Sequence, residues 1–354
     1  MSATLTRYDV LECGGEQART SVRQARRRPR RRSRLVVAAL GLALLAAFAV
    51  RVLLGDFTFT IPDFFRILFG AEIPGATFIL IESKLPRALL GVMVGAAFGV
   101  AGAIFQTTLR NPLASPDVIG VSLGASAAAV FAIVSLDQSG APVAAAAIIG
   151  AVSVSAVVRV VAGPGSGHRL VLIGVAVAAA LNSVIQYLFT RADVYDAQLA
   201  LRWLTGSLNQ VDWPTIQLLS GFLLILLPVL SWCLRSLRIT ELGQDAAAGL
   251  GVGPRRSDLL LLLAVVLCAV AVAAAGPVAF VSFVAGPISR ALNAGRATIV
   301  GAGLVGAIVV VAADHAAAYL VDDINFPVGV VTGAFGAPFL LWLLARGHDG
   351  RRAA

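Results

Sequence analysis

Charge is scarce in this chain: 13% of its 354 residues are Asp, Glu, Lys or Arg, and 58% are hydrophobic. Soluble domains carry about 25% charged residues, so a water-soluble globule is excluded. Lysine is almost absent. The single one, Lys84, stands in Glu82-Ser83-Lys84-Leu85 with no glycine ahead of it. A phosphate-cradling P-loop needs GxxxxGK[ST], so the chain cannot hydrolyse ATP by that route. Cysteine is nearly absent too. Cys13, Cys233 and Cys268 form no CxxC and no Cys/His cluster, which argues against a thiolate metal site and leaves them as small fillers. Carboxylates inside apolar segments are rarer still: Asp117 sits at a polar corner and Asp314-His315 in the ninth apolar run. An ion-coupled carrier holds ionisable groups at mid-membrane. That scarcity weakens a proton-coupled secondary carrier, which stays as the alternative from a different class.

What is present is apolar length. Segments fall near 35–54, 88–109, 113–134, 141–162, 170–190, 214–234, 257–275, 277–289, 298–320 and 327–345. A span needs about 20 apolar residues, so the fold class is an all-α integral membrane protein with about ten transmembrane helices. An Arg-rich tail, 1–34, is expected to be disordered and cytoplasmic; a membrane domain covers 35–346, and 347–354 form a second cytoplasmic tail. The run from Leu35 to Leu54 is long enough to span, and Arg51 follows the Ala47-Phe48-Ala49 stretch that imitates a cleavage site, so an uncleaved first helix is preferred to a signal peptide. Gly and Ala fill most segments, and small residues let membrane helices approach closely.

The net charge of +9 does not point to nucleic acid. With the N-terminus inside and ten alternating spans, 22 of the 28 Lys+Arg fall on the cytoplasmic side, as the positive-inside rule requires. The basic flank then meets anionic lipid. Both termini are cytoplasmic in this topology, and an odd number of spans would put a basic terminus on the wrong side. The longer outer loops, 55–87 and 191–213, carry Phe57, Phe59, Phe64, Phe65, Trp203 and Trp213, which suit interfacial anchoring.

Two segments stand out as functional. From Lys84 to Ser126 an apolar, Gly/Ala-rich run meets a polar hinge, TTLRNPLASPD, and a second such run follows. Irregular backbone at membrane depth survives only where protein or water shields it. The hinge therefore belongs to a packed, working core, and Asp117 is placed to cap the helix that follows. The other segment is the inner loop of 236–256, where Thr240 is placed to cap a short Ala-rich helix that Gly249 and Gly251 break. Two short helices lying across the inner face would suit docking into a soluble motor.

These pieces resemble the FecCD family of ABC importer permeases, which move ferric siderophores, haem or cobalamin. The resemblance rests on Lys84-Leu85-Pro86-Arg87, where the family usually has R-L-P-R, on Gly102 to Gln106, on Arg110-Asn111-Pro112-Leu113-Ala114-Ser115-Pro116-Asp117 and on Gly120 to Ala125. Trp203 to Leu208, the Leu242-Gly243…Leu250-Gly251-Val252 loop, Ala275 to Val281 and Phe326 to Phe339 follow in order. The resemblance implies a type II importer permease in a bacterial inner membrane. It would pair with a second permease chain as a homodimer or heterodimer, with two cytoplasmic ATPase subunits and an extracytoplasmic substrate-binding protein. No cofactor is bound by this chain; ATP and magnesium sit on the partner ATPase.

The resemblance assigns residue roles as well. Lys84 and Arg87 dock the binding protein. Glu241, Leu242, Gly243, Asp245, Ala248, Gly249, Leu250 and Gly251 couple to the ATPase. Gln106, Asn111, Pro112, Pro116 and Asp117 form the inner corner of the pathway. Ferric siderophores are the favoured cargo, with haem or cobalamin as alternatives. Two departures matter: Gly286-Pro287 stands where the family often has proline-histidine, and Ala318 where many members carry arginine. The missing arginine favours a heterodimer.

Overall fold

The structure, a computed structural model, describes residues 31–163, 167–209, 211–241, 244–320 and 324–349. Among the described residues the regular structure is helical throughout. The long helices are α1 (Arg31–Leu53) and α3 (Ala76–Thr108), with the short α2 (Ile61–Leu68) between them. Then come α4 (Val121–Leu136), α5 (Ala141–Ala162), α6 (Gly167–Phe189), the short α7 (Val194–Thr205) and α8 (Trp213–Thr240). The chain closes with α9 (Gln244–Gly249), α10 (Pro254–Ala275), α11 (Val281–Leu292), α12 (Ile299–Tyr319) and α13 (Val328–Asp349).

Among the described residues seven helices are long and apolar enough to cross a membrane, and three shorter apolar ones, α4, α11 and the first part of α13, complete the ten expected segments. The helix starts follow from local chemistry. Pro142, Pro214 and Pro254 sit in the first turns of α5, α8 and α10, where a missing N–H costs nothing. Asp212 caps α8, its carboxylate accepting the Thr215 N–H at 3.0 Å. α2 is capped by Thr60 and leaves Ile61, Phe65, Leu68 and Phe69 exposed, as an interfacial helix would.

Several boundaries differ from the sequence reading. α1 takes in Arg31 to Arg34, which composition assigned to the tail, and α13 runs on to Asp349. The remainder of the Arg-rich tail and residues 350–354 lie outside the described residues. The third helix starts at Ala76, well before residue 88, because a π-turn over Ile79–Lys84 carries it through Pro86. A wide turn of that kind accommodates a proline near its end without a broken hydrogen-bond ladder. α4 and α11 start later than their apolar runs, at Val121 and Val281.

α3 is the central helix, with 72% of its apolar window buried against 17% for α1 and for α6. It packs against α12, α10 and α11. The closest crossing uses backbone against backbone. A Cβ on Gly95 would strike the Gly306 carbonyl, and one on Gly306 the Gly95 carbonyl. Gly124 and Gly150 join α4 to α5 in the same way. Carbonyls in two packed helices cannot step aside. Gly306→Leu is therefore expected to lower stability by about 3 kcal/mol, the upper end for overpacking. Thermal unfolding in detergent checks this, with Gly221→Leu, whose position is open, expected to match wild type.

The helices alternate between two ends of the bundle. Arg32 at the start of α1 donates to the Leu292 carbonyl at 3.2 Å, and Trp213 at the start of α8 donates to the Ile81 carbonyl at 3.2 Å. One end therefore holds Arg32, Arg110 and Leu292; the other holds Arg51, Lys84 and Trp213.

Candidate functional site

The polar hinge is built where α3 stops. Arg110 turns left-handed, φ 51°, after the last helical residues. Asn111 accepts the Leu113 N–H on its side chain at 2.9 Å and holds the Ala114 N–H on its carbonyl at 3.0 Å, the side chain standing in for a backbone turn. Pro112 starts the reversal. The Pro116 carbonyl receives the Ile119 and Val121 N–H groups, and Gly120, φ 83°, opens α4. Gln106 is fully buried; its amide donates to the Phe283 carbonyl at 3.1 Å and accepts from Arg290 at 3.2 Å. The Gln106 amide oxygen lies where a Cβ on Gly286 would stand, so a side chain at that position would share one space with the glutamine.

Asp117 joins two short helices. One carboxylate oxygen accepts from the Ser122 hydroxyl on α4, the other from the Ser282 hydroxyl on α11 at 2.6 Å. Both helices begin beside it, so the carboxylate faces two positive helix ends. Short helices whose N-termini meet inside the bundle are the usual framework of membrane substrate paths. Phe280, immediately before α11, is held at φ 64°, a strained conformation for a bulky residue. Gly336 on α13 leaves the space it occupies.

A cavity of about 800 Å³ opens at this junction, lined by Asp117, Ser122, Ser126, Asn182, Gln186 and Phe280 among others. Asn182 and Gln186 sit four residues apart on α6, so they share one face, and both are exposed. Polar side chains on a membrane helix face protein or water rather than lipid. Sequence reading passed over Asn182, Gln186, Ser122, Ser126 and Ser282. The i, i+4 polar pair inside the apolar run of α6 was the available signal.

Lys84 and Arg87, expected to dock the binding protein, are both buried within this chain. Lys84 is 5% exposed. Its ammonium donates to the Leu54 and Phe57 carbonyls at 2.8 and 2.5 Å and lies 5.2 Å from the Phe59 ring centroid. Arg87 is 9% exposed and pairs with Asp314 at 2.8 Å, reaching Asn325 as well. Arg51 closes on the same carboxylate at 2.6 Å. The physical reason is the π-turn, which rolls this stretch inward and leaves buried charges that persist only when paired. Lys84→Glu sets a carboxylate against two carbonyl oxygens. It is expected to cut recovery of folded protein several-fold, read by size-exclusion profile, instead of giving a stable protein slow only in docking.

Among its described residues the inner loop holds one short helix, α9. Thr240 is the last residue of α8, its hydroxyl bonded back to the Leu237 carbonyl at 2.7 Å, and so does not cap α9. Ala247 and Val252 are buried and pin α9, while Ala248, Gly249 and Leu250 are exposed, Leu250 by 60%. Gly251 turns left-handed, φ 82°. Glu241 is exposed beside α8; Leu242 and Gly243 lie outside the described residues, as does the side chain of Asp245.

Comparison with known proteins follows this geometry. The FecCD transport family profile matches residues 43–346. The ferric enterobactin transport system permease protein FepG of Escherichia coli is 37% identical over 82% of this chain and 89% of its own length. The Fe(3+) dicitrate transport system permease protein FecD, also of Escherichia coli, is 38% identical over 76% and 86%. The hemin transport system permease protein HmuU of Yersinia pestis is 33% identical over 90% and 94%. Among solved structures, a metal-chelate type ABC transporter in an inward-facing conformation superposes with a TM-score of 0.76 at 25% identity, over 88% of this chain and 99% of that one.

Proposed function

The chain belongs to the FecCD transport family, and on that premise we propose that it is the transmembrane permease subunit of an ABC importer for ferric siderophores. The observation that carries this is the cavity at the junction of α4 and α11, walled by Asp117 and by the exposed polar pair Asn182 and Gln186 of α6. A pathway half of that shape is completed by a second permease chain. The chain is a transport subunit and not an enzyme. ATP and magnesium belong to two separate ATPase subunits, as the missing P-loop requires. An extracytoplasmic binding protein delivers cargo at the Lys84 end. The Arg110 end, with most of the arginines, faces the cytoplasm of a bacterial inner membrane, and both termini lie on that side.

Closure of the ATPases moves α9, which is short, exposed and seated on α8. α8 packs on α3 and α10, and α3 on α11, so a push at Leu250 reaches the junction of α4 and α11. That junction is the two-arrangement element that alternating access needs. A proton relay is less well supported, since Asp314 is locked between two guanidiniums and Asp117 between two hydroxyls.

Uptake of radiolabelled iron by cells holding the whole transporter tests the reading. Ferric siderophore uptake is expected to stop with a hydrolysis-dead ATPase. Uptake that persists and follows a proton gradient would sink the reading, and uptake of hemin or cobalamin in its place would change the cargo. Leu250→Glu is expected to lower uptake about tenfold or more, the effect of losing one interface hot spot. Its amount in the membrane should be unchanged because the side chain is exposed. Normal uptake in that variant would remove α9 as the coupling element.

A further inference from the structure

A second polar cavity lies at the Arg110 end, beside the inner corner that Gln106 and Pro112 form. It encloses about 660 Å³ between the start of α1, the ends of α3 and α8, and the turn after α11. Arg110, Arg290 and Arg296 line it, with Glu241 as the one carboxylate on its wall. Among the described residues none of these three guanidiniums lies within salt-bridge distance of a carboxylate; Arg290 donates to the Gln106 amide oxygen at 3.2 Å and interacts with the Glu241 charge across the cavity. The left-handed Arg110 holds its place at the rim by backbone conformation, where a non-glycine residue is strained.

Two further groups are unpartnered. Thr107 is 4% exposed and Asn293 2% exposed, and both line the cavity. The Thr107 hydroxyl and the Asn293 side-chain oxygen have no hydrogen-bond partner. Buried polar groups are normally satisfied, and these two atoms stand unsatisfied just behind the cavity wall. Three guanidiniums and a hydroxyl are donors for an anion with several oxygens, the geometry of phosphate recognition. The Asn293 oxygen and Glu241 are acceptors and suit hydroxyl groups on the same ligand. The cavity opens at the rim where the apolar spans end. α1 borders it through Ser33, and the same helix exposes Leu35 and Leu42 to the surrounding lipid on its opposite face.

We propose that this cavity binds an anionic phospholipid whose headgroup carries free hydroxyls, of the phosphatidylglycerol kind, with the phosphate among Arg110, Arg290 and Arg296. Basic pockets between membrane helices are where such headgroups settle. Occupation would brace the end of α8, next to α9, against the turn after α11. The assignment does not depend on which cargo is carried.

Native mass spectrometry of the full chain in detergent tests it, with phosphatidylglycerol and phosphatidylcholine of equal acyl length. Wild type is expected to retain phosphatidylglycerol several-fold better. Each of R110Q and R296Q, neither of which breaks an internal ion pair, should lower that retention about fivefold, the worth of one arginine at a charged lipid surface. T107V removes only an unpartnered hydroxyl, so it should lower retention without lowering the unfolding temperature of lipid-free protein. R66Q, at the opposite end on α2, should bind as wild type. Equal retention of both lipids, or retention unchanged in R110Q, R296Q and T107V, overturns the proposal. Displacement of the lipid by excess inorganic phosphate would also overturn it, by making this a site for a free anion.

Discussion

Asp314→Ala is expected to leave little or no folded protein. The carboxylate is buried and holds Arg51 at 2.6 Å and Arg87 at 2.8 Å. Removing it leaves two like charges side by side with no solvent and no counter-ion. Breaking a buried pair by deleting one partner costs about 3–5 kcal/mol, a large share of the roughly 5–15 kcal/mol that holds a domain together. The mutual repulsion of the stranded guanidiniums adds to that. Arg51→Met is expected to cost less, since Asp314 keeps its bonds to Arg87 and the apolar side chain fills the space. Asp314→Asn keeps shape and hydrogen-bonding capacity but not charge, and should fall between. Recovery from membranes and thermal unfolding of the purified chain give the order directly. An Asp314→Ala protein that unfolds like wild type would show that the cluster is not a keystone of this end of the bundle.

Asp117→Ala is expected to spare the fold and slow transport about 10–100-fold. Hydrogen bonds to a charged group are worth about 1.5–3 kcal/mol each, and losing that much preference between two arrangements shifts their ratio by the same 10–100-fold. Asp117 bonds to the starts of α4 and α11 at once, so its loss uncouples the two walls of the cavity. The wider bundle is held by the apolar core and the glycine crossings of α3 with α12, which the substitution does not touch. ATP-dependent uptake measured beside membrane abundance separates the two effects. Loss of both together would make Asp117 a folding residue, and normal uptake would remove it from the moving junction. The double change Ser122→Ala with Ser282→Ala should reproduce much of the defect, because it strips the same two bonds from the other side.

Much of this molecule is legible in the chain. Ten apolar runs became ten helices because length and hydropathy set a span whatever surrounds it. The hinge from Arg110 to Asp117 was visible through Asn111, Pro112 and Pro116, whose backbone restrictions act locally. Helix ends were read less well. Apolar residues continue past the starts of α4 and α11 into buried turns, so composition could not mark where each helix begins. The π-turn before Leu85 was hidden for the opposite reason, since lysine and proline there look like a loop. Thr240 had a capping residue's chemistry but lay inside α8, whose packing carried the helix on.

The chain by itself determined that the protein lives in a membrane, crosses it about ten times and takes its energy from elsewhere. These properties are sums over neighbouring residues. The tertiary structure alone decided what the few charges do. Arg87 meets a carboxylate 227 positions away, and Asp117 meets a serine 165 positions away. Which charge finds which partner depends on helices that pack side by side, and that packing ties Lys84 to two carbonyls, Arg87 to Asp314 and Asp117 to two serines. Local spacing carries no record of it.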